Sequence, residues 1–277
     1  MVHPIKVLVT SQKGGVGKSS IAANLSAYMA KVASRKTCLL DFDPHGSSSA
    51  WMKQAPNVGV VVNHNPLPVS LGKKRSLLDG RAQLRRAATA SDVVIADLTW
   101  NDATDAELLF DFDAVLIPVS LSAIEIAATV HFVHGMHWVF DSRIRKAPAL
   151  ILCPTRVEDP TGIKEAFTSK TFPIRFLLAP PISADRAVRE AFGKRFLVDM
   201  QGSAAESFAY FAAAVQETLD GLAKANIANP KRASIDTLQR QFGPSAVLSN
   251  FNIARSTHSF SQSRQEVGNQ LGRPQLQ

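Results

Sequence analysis

Gln12-Lys13-Gly14-Gly15-Val16-Gly17-Lys18-Ser19-Ser20 follows the apolar run Val7-Leu8-Val9 and precedes a helical pattern of Ile21, Ala22, Leu25, Tyr28 and Met29. Strand, glycine-rich loop and helix in that order give a phosphate-binding pattern its mechanism. Glycines let the backbone curl, so that successive N–H groups converge on phosphate oxygens. The helix that begins near Lys18 adds its free N–H groups and the positive end of its dipole. In this reading Gly14, Gly15, Val16, Gly17, Lys18, Ser19 and Ser20 hold a nucleotide. Lys18 reaches the β- and γ-phosphates, and the Ser19 hydroxyl ligates magnesium. The competing reading is a flexible turn with incidental glycines. The Gly-Lys-Ser ending between a strand and a helix argues against it.

Two further strands end in acids. Thr37-Cys38-Leu39-Leu40-Asp41-Phe42-Asp43-Pro44 reads as a buried strand running into a turn. Asp41 and Asp43 share a face because they are two apart, and Pro44 biases Asp43 towards extended backbone. Asp92 to Asp97 is an apolar strand that closes on a carboxylate, which makes Asp97 the candidate magnesium-side acid. Strands are also expected at 58–62, 113–120, 149–153 and 176–179. Helices are expected at 76–88, 122–140, 185–192 and 204–223. The alternation predicts an α/β fold, a doubly wound, mainly parallel sheet with helices on both faces. The loop, Asp43 and Asp97 then fall at the carboxyl ends of the strands, where such sheets bind ligands.

Composition sets outer bounds. A chain of 277 residues that is 45% hydrophobic can bury a large core in one domain. Cys38 and Cys153 lie far apart in apolar runs, as reduced core thiols do in a reducing compartment. With no signal-type segment and no apolar run long enough to span a bilayer, a cytoplasmic location is expected. The formal charge of +8 is clustered at Lys73-Lys74-Arg75, Arg81, Arg85 and Arg86, Arg143 to Lys146, and Arg186 to Arg195. Such clusters are often plain solvated faces; here their number favours a nucleic acid partner. His131, His134 and His137 recur at intervals of three, but no carboxylate or cysteine joins them at ligand spacing, so packing is their expected role.

The loop is not the ordinary one: Gln12 replaces the first glycine, and Lys13 adds a second lysine. Lys13-Gly14-Gly15-Val16-Gly17-Lys18-Ser19 resembles the deviant Walker A loop of the ParA/MinD family of ATPases. Leu40 to Gly46, Ile117-Pro118-Val119-Ser120 and Arg186 to Lys194 resemble other segments of that family, and the likeness spans about residues 5–223. It implies a P-loop fold, ATP and Mg2+ as cofactors, and ATP hydrolysis that is weak without a partner. Lys13 would reach the partner's phosphates across an ATP-sandwiched homodimer. Lys18 would hold the phosphates, Asp43 would orient the attacking water, and Asp41 would support the magnesium shell of Ser19 and Asp97. Arg186, Arg189, Lys194 and Arg195 would bind double-stranded DNA without sequence preference, placing the protein on the nucleoid. A cargo-bound adaptor or centromere-binding protein would stimulate turnover, so that a plasmid, chromosome or other cargo is partitioned or positioned. The loops near Thr155-Arg156 and Pro180-Pro181 would face the adenine. With no Cys-x-x-Cys spacing, an iron–sulfur relative is disfavoured. Too few residues precede the loop for a helix-turn-helix domain, so the small, compact kind is expected.

One departure stands out. The family follows its second acid with small residues or proline, and this chain has Leu98-Thr99-Trp100. That departure suits an ATP-dependent scaffold or regulator, for example in conjugation, as an alternative. A MinD-like positioning ATPase on a membrane is the other. The division expected is an ATPase domain at 1–225 and a basic Gln/Ser/Asn-rich tail at 226–277, largely disordered. The tail carries six basic and two acidic residues and one apolar island, Ile235, Leu238 and Phe242. Three apolar residues are too few for firm lipid binding, so no membrane partner is expected.

Overall fold

The computed structural model describes residues 3–168, 171–172 and 174–228. The tail from 229 onward, including the apolar island, lies outside the described residues. In chain order the elements are β1 (Ile5–Ser11), α1 (Lys18–Lys31), β2 (Thr37–Asp41), α2 (Ser47–Gln54), β3 (Val61–His64), α3 (Lys73–Ala88) and β4 (Val93–Thr99). There follow β5 (Ala114–Val119), α4 (Ala123–Gly135), α5 (His137–Phe140), β6 (Ala149–Pro154), α6 (Ile163–Ala166), β7 (Leu177–Leu178), α7 (Arg186–Glu190) and α8 (Ser203–Ala228). The strands form one seven-stranded sheet in the order β3-β2-β4-β1-β5-β6-β7. Every pairing is parallel. The expected "mainly parallel" sheet is thus wholly so, because every strand is followed by a crossover rather than a hairpin.

Period-two alternation divides the core. Val7, Val9, Leu39, Val93, Ile95, Leu116 and Ile151 point to one face, where α1, α2 and α8 supply Leu25, Trp51, Phe208 and Phe211. Leu8, Cys38, Leu40, Val94, Ala96, Ile117 and Leu152 point to the other, beneath Leu77 and Leu84 of α3 and Phe132 and Val133 of α4. Both faces are covered, which is why these strands read as near-continuous apolar runs. Only the strand ends are left for polar chemistry.

Several features differ from expectation, among them β3, which runs Val61–His64 rather than 58–62, and α2, which was not expected. The helix expected over 122–140 breaks at Met136 into α4 and α5, directly after Gly135, a poor helix former. His131, His134 and His137 are exposed rather than packed, with the rings of His134 and His137 stacked at 5.7 Å. Strand β4 runs two residues past Asp97, so Leu98 and Thr99 of the segment that departs from the family pattern are strand, and Trp100 follows directly.

Gly46 caps α2 with φ 62, and a Cβ built there would stand 2.8 Å from the His64 ring. The φ demands glycine, and the imidazole leaves no room for anything larger. Gly46→Ala is expected to cost about 1–3 kcal/mol through backbone strain and overpacking. Urea denaturation of the variant against the parent measures this directly.

Candidate nucleotide and metal site

β1 delivers the loop and α1 receives it. Gly15 (φ 75) and Gly17 (φ 96) adopt left-handed backbone, and none of the N–H groups from Gly14 to Gly17 donates a hydrogen bond among the described residues. Those donors converge with the start of α1, forming an anion cradle. From the other side of the sheet's crest, Thr155 at the end of β6 donates its hydroxyl to the Val16 carbonyl at 3.0 Å and pins the loop. Sequence reasoning placed Thr155 near the base and missed this tie.

Lys18 is buried, and its Nζ donates to the Lys13 carbonyl at 3.2 Å, curling back over the loop. Burial lowers its pKa, against the opposing pull of the Asp97 and Asp43 charges. Lys13 is exposed, with no ion pair among the described residues. One lysine faces the core of the site and the other faces outward.

Asp41 and Asp97 are fully buried and lie opposite one another in the β2–β4 register. Their surroundings differ. Asp41 accepts N–H bonds from Asp43 at 3.1 Å and from Ser49, in the first turn of α2, at 2.9 Å. These bonds tie Asp41 to the turn that carries Asp43. Neither oxygen of Asp97 has a hydrogen-bond partner among the described residues, and the Ser48 hydroxyl is equally unpartnered. Burial pushes the Asp97 carboxyl up to about 6, with Asp41 adding to the rise and Ser19, Ser48 and Lys18 pulling against it. A buried carboxylate without partners is costly. Two free carboxylate oxygens near a hydroxyl are an oxygen donor set that suits a hard divalent cation, and Mg2+ fits these residues.

Asp43 sits at the rim. Its Oδ1 accepts from the His45 N–H at 2.9 Å, and its Oδ2 accepts from the Thr99 hydroxyl. His64 Nε2 bonds its backbone carbonyl at 2.9 Å. Burial works to raise its pKa, but the Thr99 and His45 bonds and the charges of His45 and Lys18 outweigh that and hold it below the usual carboxylate value. Thr99 was not singled out from the sequence. Continuing the alternation of β4 from Ile95 through Asp97 would have put it on this face.

A cavity of about 520 Å³ opens beside the loop, with Gly15 and Ser20 on one side and Thr155, Arg156 and Ser183 on the other. Its far wall is the stretch from Ile182 to Arg186, just beyond the expected Pro180-Pro181. Arg156 has a left-handed φ of 53 and is held by an ion pair to Glu125 at 2.7 Å. Arg186 and Arg189 line this same cavity, so they are neighbours of the loop, whereas Lys194 and Arg195 are exposed beyond α7. Arg186 also pairs with Glu190 one turn on, at 2.7 Å.

Residues 7–224 match the profile of the CobQ/CobB/MinD/ParA nucleotide binding domain. The chromosome-partitioning ATPase Soj of Thermus thermophilus is 31% identical over 136 residues, which is 45% of this chain and 52% of that protein. Soj of Treponema pallidum is 50% identical over 56 residues, 20% of this chain and 22% of the relative. The matches therefore span between about a fifth and about a half of those relatives. Among solved structures, a variant of McdA from Cyanothece in complex with ATP superposes with a TM-score of 0.61 at 16% identity, covering 79% of this chain and 98% of that one. The septum site-determining protein MinD of Pyrococcus horikoshii, complexed with Mg-ADP, gives 0.55 at 14% identity, covering 83% and 99%. At these identities the likeness is one of fold.

The orphaned carboxylate has a pH signature. Its folded-state pKa lies above the unfolded value, so its ionised form opposes folding above about pH 6 and ceases to do so towards the ordinary carboxylate value near 4. In metal-free protein, Asp97→Asn is expected to raise the melting temperature at about pH 7.5, equivalent to roughly 2 kcal/mol or less, and the gain should vanish as pH falls through this window. Magnesium-dependent nucleotide binding by the parent should weaken over the same fall. Thermal melts in chelator and magnesium titrations across pH check both. A lower melting temperature for the variant at neutral pH would refute the account.

Proposed function

The chain belongs to the CobQ/CobB/MinD/ParA nucleotide-binding family, and on that footing we propose that it is a ParA-type ATPase. It dimerises on ATP, binds double-stranded DNA without sequence preference, and uses partner-stimulated hydrolysis to partition or position a plasmid, chromosome or other cargo. The observation that carries this reading is the two-lysine loop, in which Lys18 is buried beside Asp97 and Asp43 while Lys13 points outward without a partner among the described residues. A protomer that needed only its own loop would have no use for the second cation. The Soj relatives, both named as chromosome-partitioning ATPases, support the same reading.

The proposed roles are these. Lys18 and the loop N–H groups bind and orient the phosphates. Ser19 and Asp97 would hold Mg2+, which when bound shields phosphate charge. Lys13 extends to the partner's phosphates and stabilises the charge that spreads in phosphoryl transfer. Asp43, kept below the ordinary carboxylate range, is ionised at neutral pH. Such a group accepts a hydrogen bond well and takes a proton poorly, so its part is to orient the attacking water rather than to deprotonate it in advance. Asp41 holds the turn that carries it.

Two surfaces support DNA binding. Arg186, Arg189, Lys194 and Arg195 are all exposed, and the first two adjoin the nucleotide cavity, which suits a contact that responds to ATP. The ion pair of Arg186 with Glu190 is exposed and so is readily exchanged for phosphate. On the opposite face of the sheet, α3 exposes Lys73, Lys74, Arg85 and Arg86 without ion pairs among the described residues. Arg75 and Arg81, by contrast, are engaged by Asp79 and by Asp111. No helix among the described residues is long and apolar enough to cross a membrane.

Binding to non-specific duplex DNA with ATP, ADP or no nucleotide over a salt series tests the reading. ATP-dependent binding that weakens steeply with salt is expected. Binding indifferent to nucleotide would move the assignment to a scaffold or a membrane-positioning protein. Lys13→Ala is expected to abolish the ATP dimer, read by light scattering, while leaving nucleotide binding by the monomer measurable. A variant that dimerises and turns over ATP like the parent would sink the assignment.

A further inference from the structure

The segment that departs from the family pattern, Leu98-Thr99-Trp100, makes a contact that no motif predicts. Its outer members are anchors. Leu98 and Trp100 are 2% and 3% exposed on the α3/α4 face, and the Trp100 ring stands 5.7 Å from that of Phe132. The Trp100 N–H donates to the Ser11 carbonyl at 3.1 Å, and the Thr10 hydroxyl donates to the Leu98 carbonyl at 2.7 Å. The strand therefore cannot rotate, and alternation turns Thr99 to the opposite face, the one that carries Asp97. There its hydroxyl donates to Oδ2 of Asp43, while the His45 N–H holds Oδ1. Both oxygens of one carboxylate are thus oriented by donors from two different strand ends.

We propose that Thr99 is a positioning residue for hydrolysis, fixing the Asp43 carboxylate so that its remaining lone pairs meet the attacking water. This rests on the hydrolytic reading above and deepens it. A proline or small aliphatic residue at this position would leave Asp43 held through Oδ1 and its backbone alone, free to rotate about its side-chain bonds. Thr99 supplies a donor where such residues have none. The departure thereby marks a more tightly held water-orienting group, and it accounts for the burial of Trp100 as the anchor that aims the strand.

The test compares Thr99→Val, which keeps shape and removes the donor, with Thr99→Ser, which keeps the donor, in the full chain. With Val, kcat for ATP hydrolysis is expected to fall about tenfold to a hundredfold, as for a misplaced reacting group, while KM and the affinity for a non-hydrolysable ATP analogue stay within about twofold. Ser is expected to restore kcat to within about threefold of the parent. Hydrogen exchange at the His45 amide should quicken in the Val variant, since a freely rotating carboxylate no longer protects it. A kcat unchanged by Val, a Ser variant as impaired as Val, or analogue binding lost in parallel with turnover would each overturn the proposal. Should the parent hydrolyse no ATP, the hydrolytic reading fails first. The exchange measurement still judges the Thr99–Asp43 link, because unchanged protection at His45 refutes it whatever the turnover.

Discussion

Two carboxylates placed side by side in an apolar interior impose the condition that the rest of this molecule satisfies. Asp41 and Asp97 face each other across β2 and β4 with no exposed surface. Burial of two acids at adjacent positions costs desolvation that hydrogen bonds or charges must offset. The fold resolves the conflict unequally. Asp41 accepts two backbone N–H bonds, one of them from the first turn of α2. Asp97 is left with the neighbouring charge of Lys18 and two hydroxyls that do not complete a bond. On the proposed function, a cation would supply the partner that the Asp97 oxygens lack among the described residues, beside the phosphate loop.

Much of this was legible in the residues because each signal was local. The loop needed only its glycines, its lysine and its flanking periodicities, and the acids at 41, 43 and 97 needed only the ends of apolar runs. Three features escaped because their causes were not local. The helix α2 follows a turn whose Gly46 is moulded to His64, a residue eighteen positions away that belongs to another strand. The break after Gly135 lies in an apolar stretch that periodicity alone joins to the next helix. Thr99 drew notice only as part of a departure from the family pattern. It is instead the last residue of a strand whose register with β1 continues to Ser11.

The arginines of α7 show how placement alters meaning. Read as charges, Arg186 and Arg189 belong to a surface for nucleic acid. Seen in the fold, they also form the rim of the cavity beside the phosphate loop. On the proposed function this short helix would border both a nucleotide and a polyanion, and occupancy of one could change the field felt by the other. The basic face of α3 has no such connection to the cavity. Its first-turn lysines, Lys73 and Lys74, sit at the positive end of the helix dipole with no acid in that turn, an arrangement that stability alone does not favour.

The two margins of the sheet are its shortest strands, β3 with four residues and β7 with two. A strand that brief offers too few unpaired amides to template a neighbour. Growth of the sheet from one molecule into the next is therefore closed off at both ends, and ordered fibrils by that route are disfavoured. Among the described residues, loops and helices offer the larger surfaces for assembly, and such contacts release more readily than a continued sheet does.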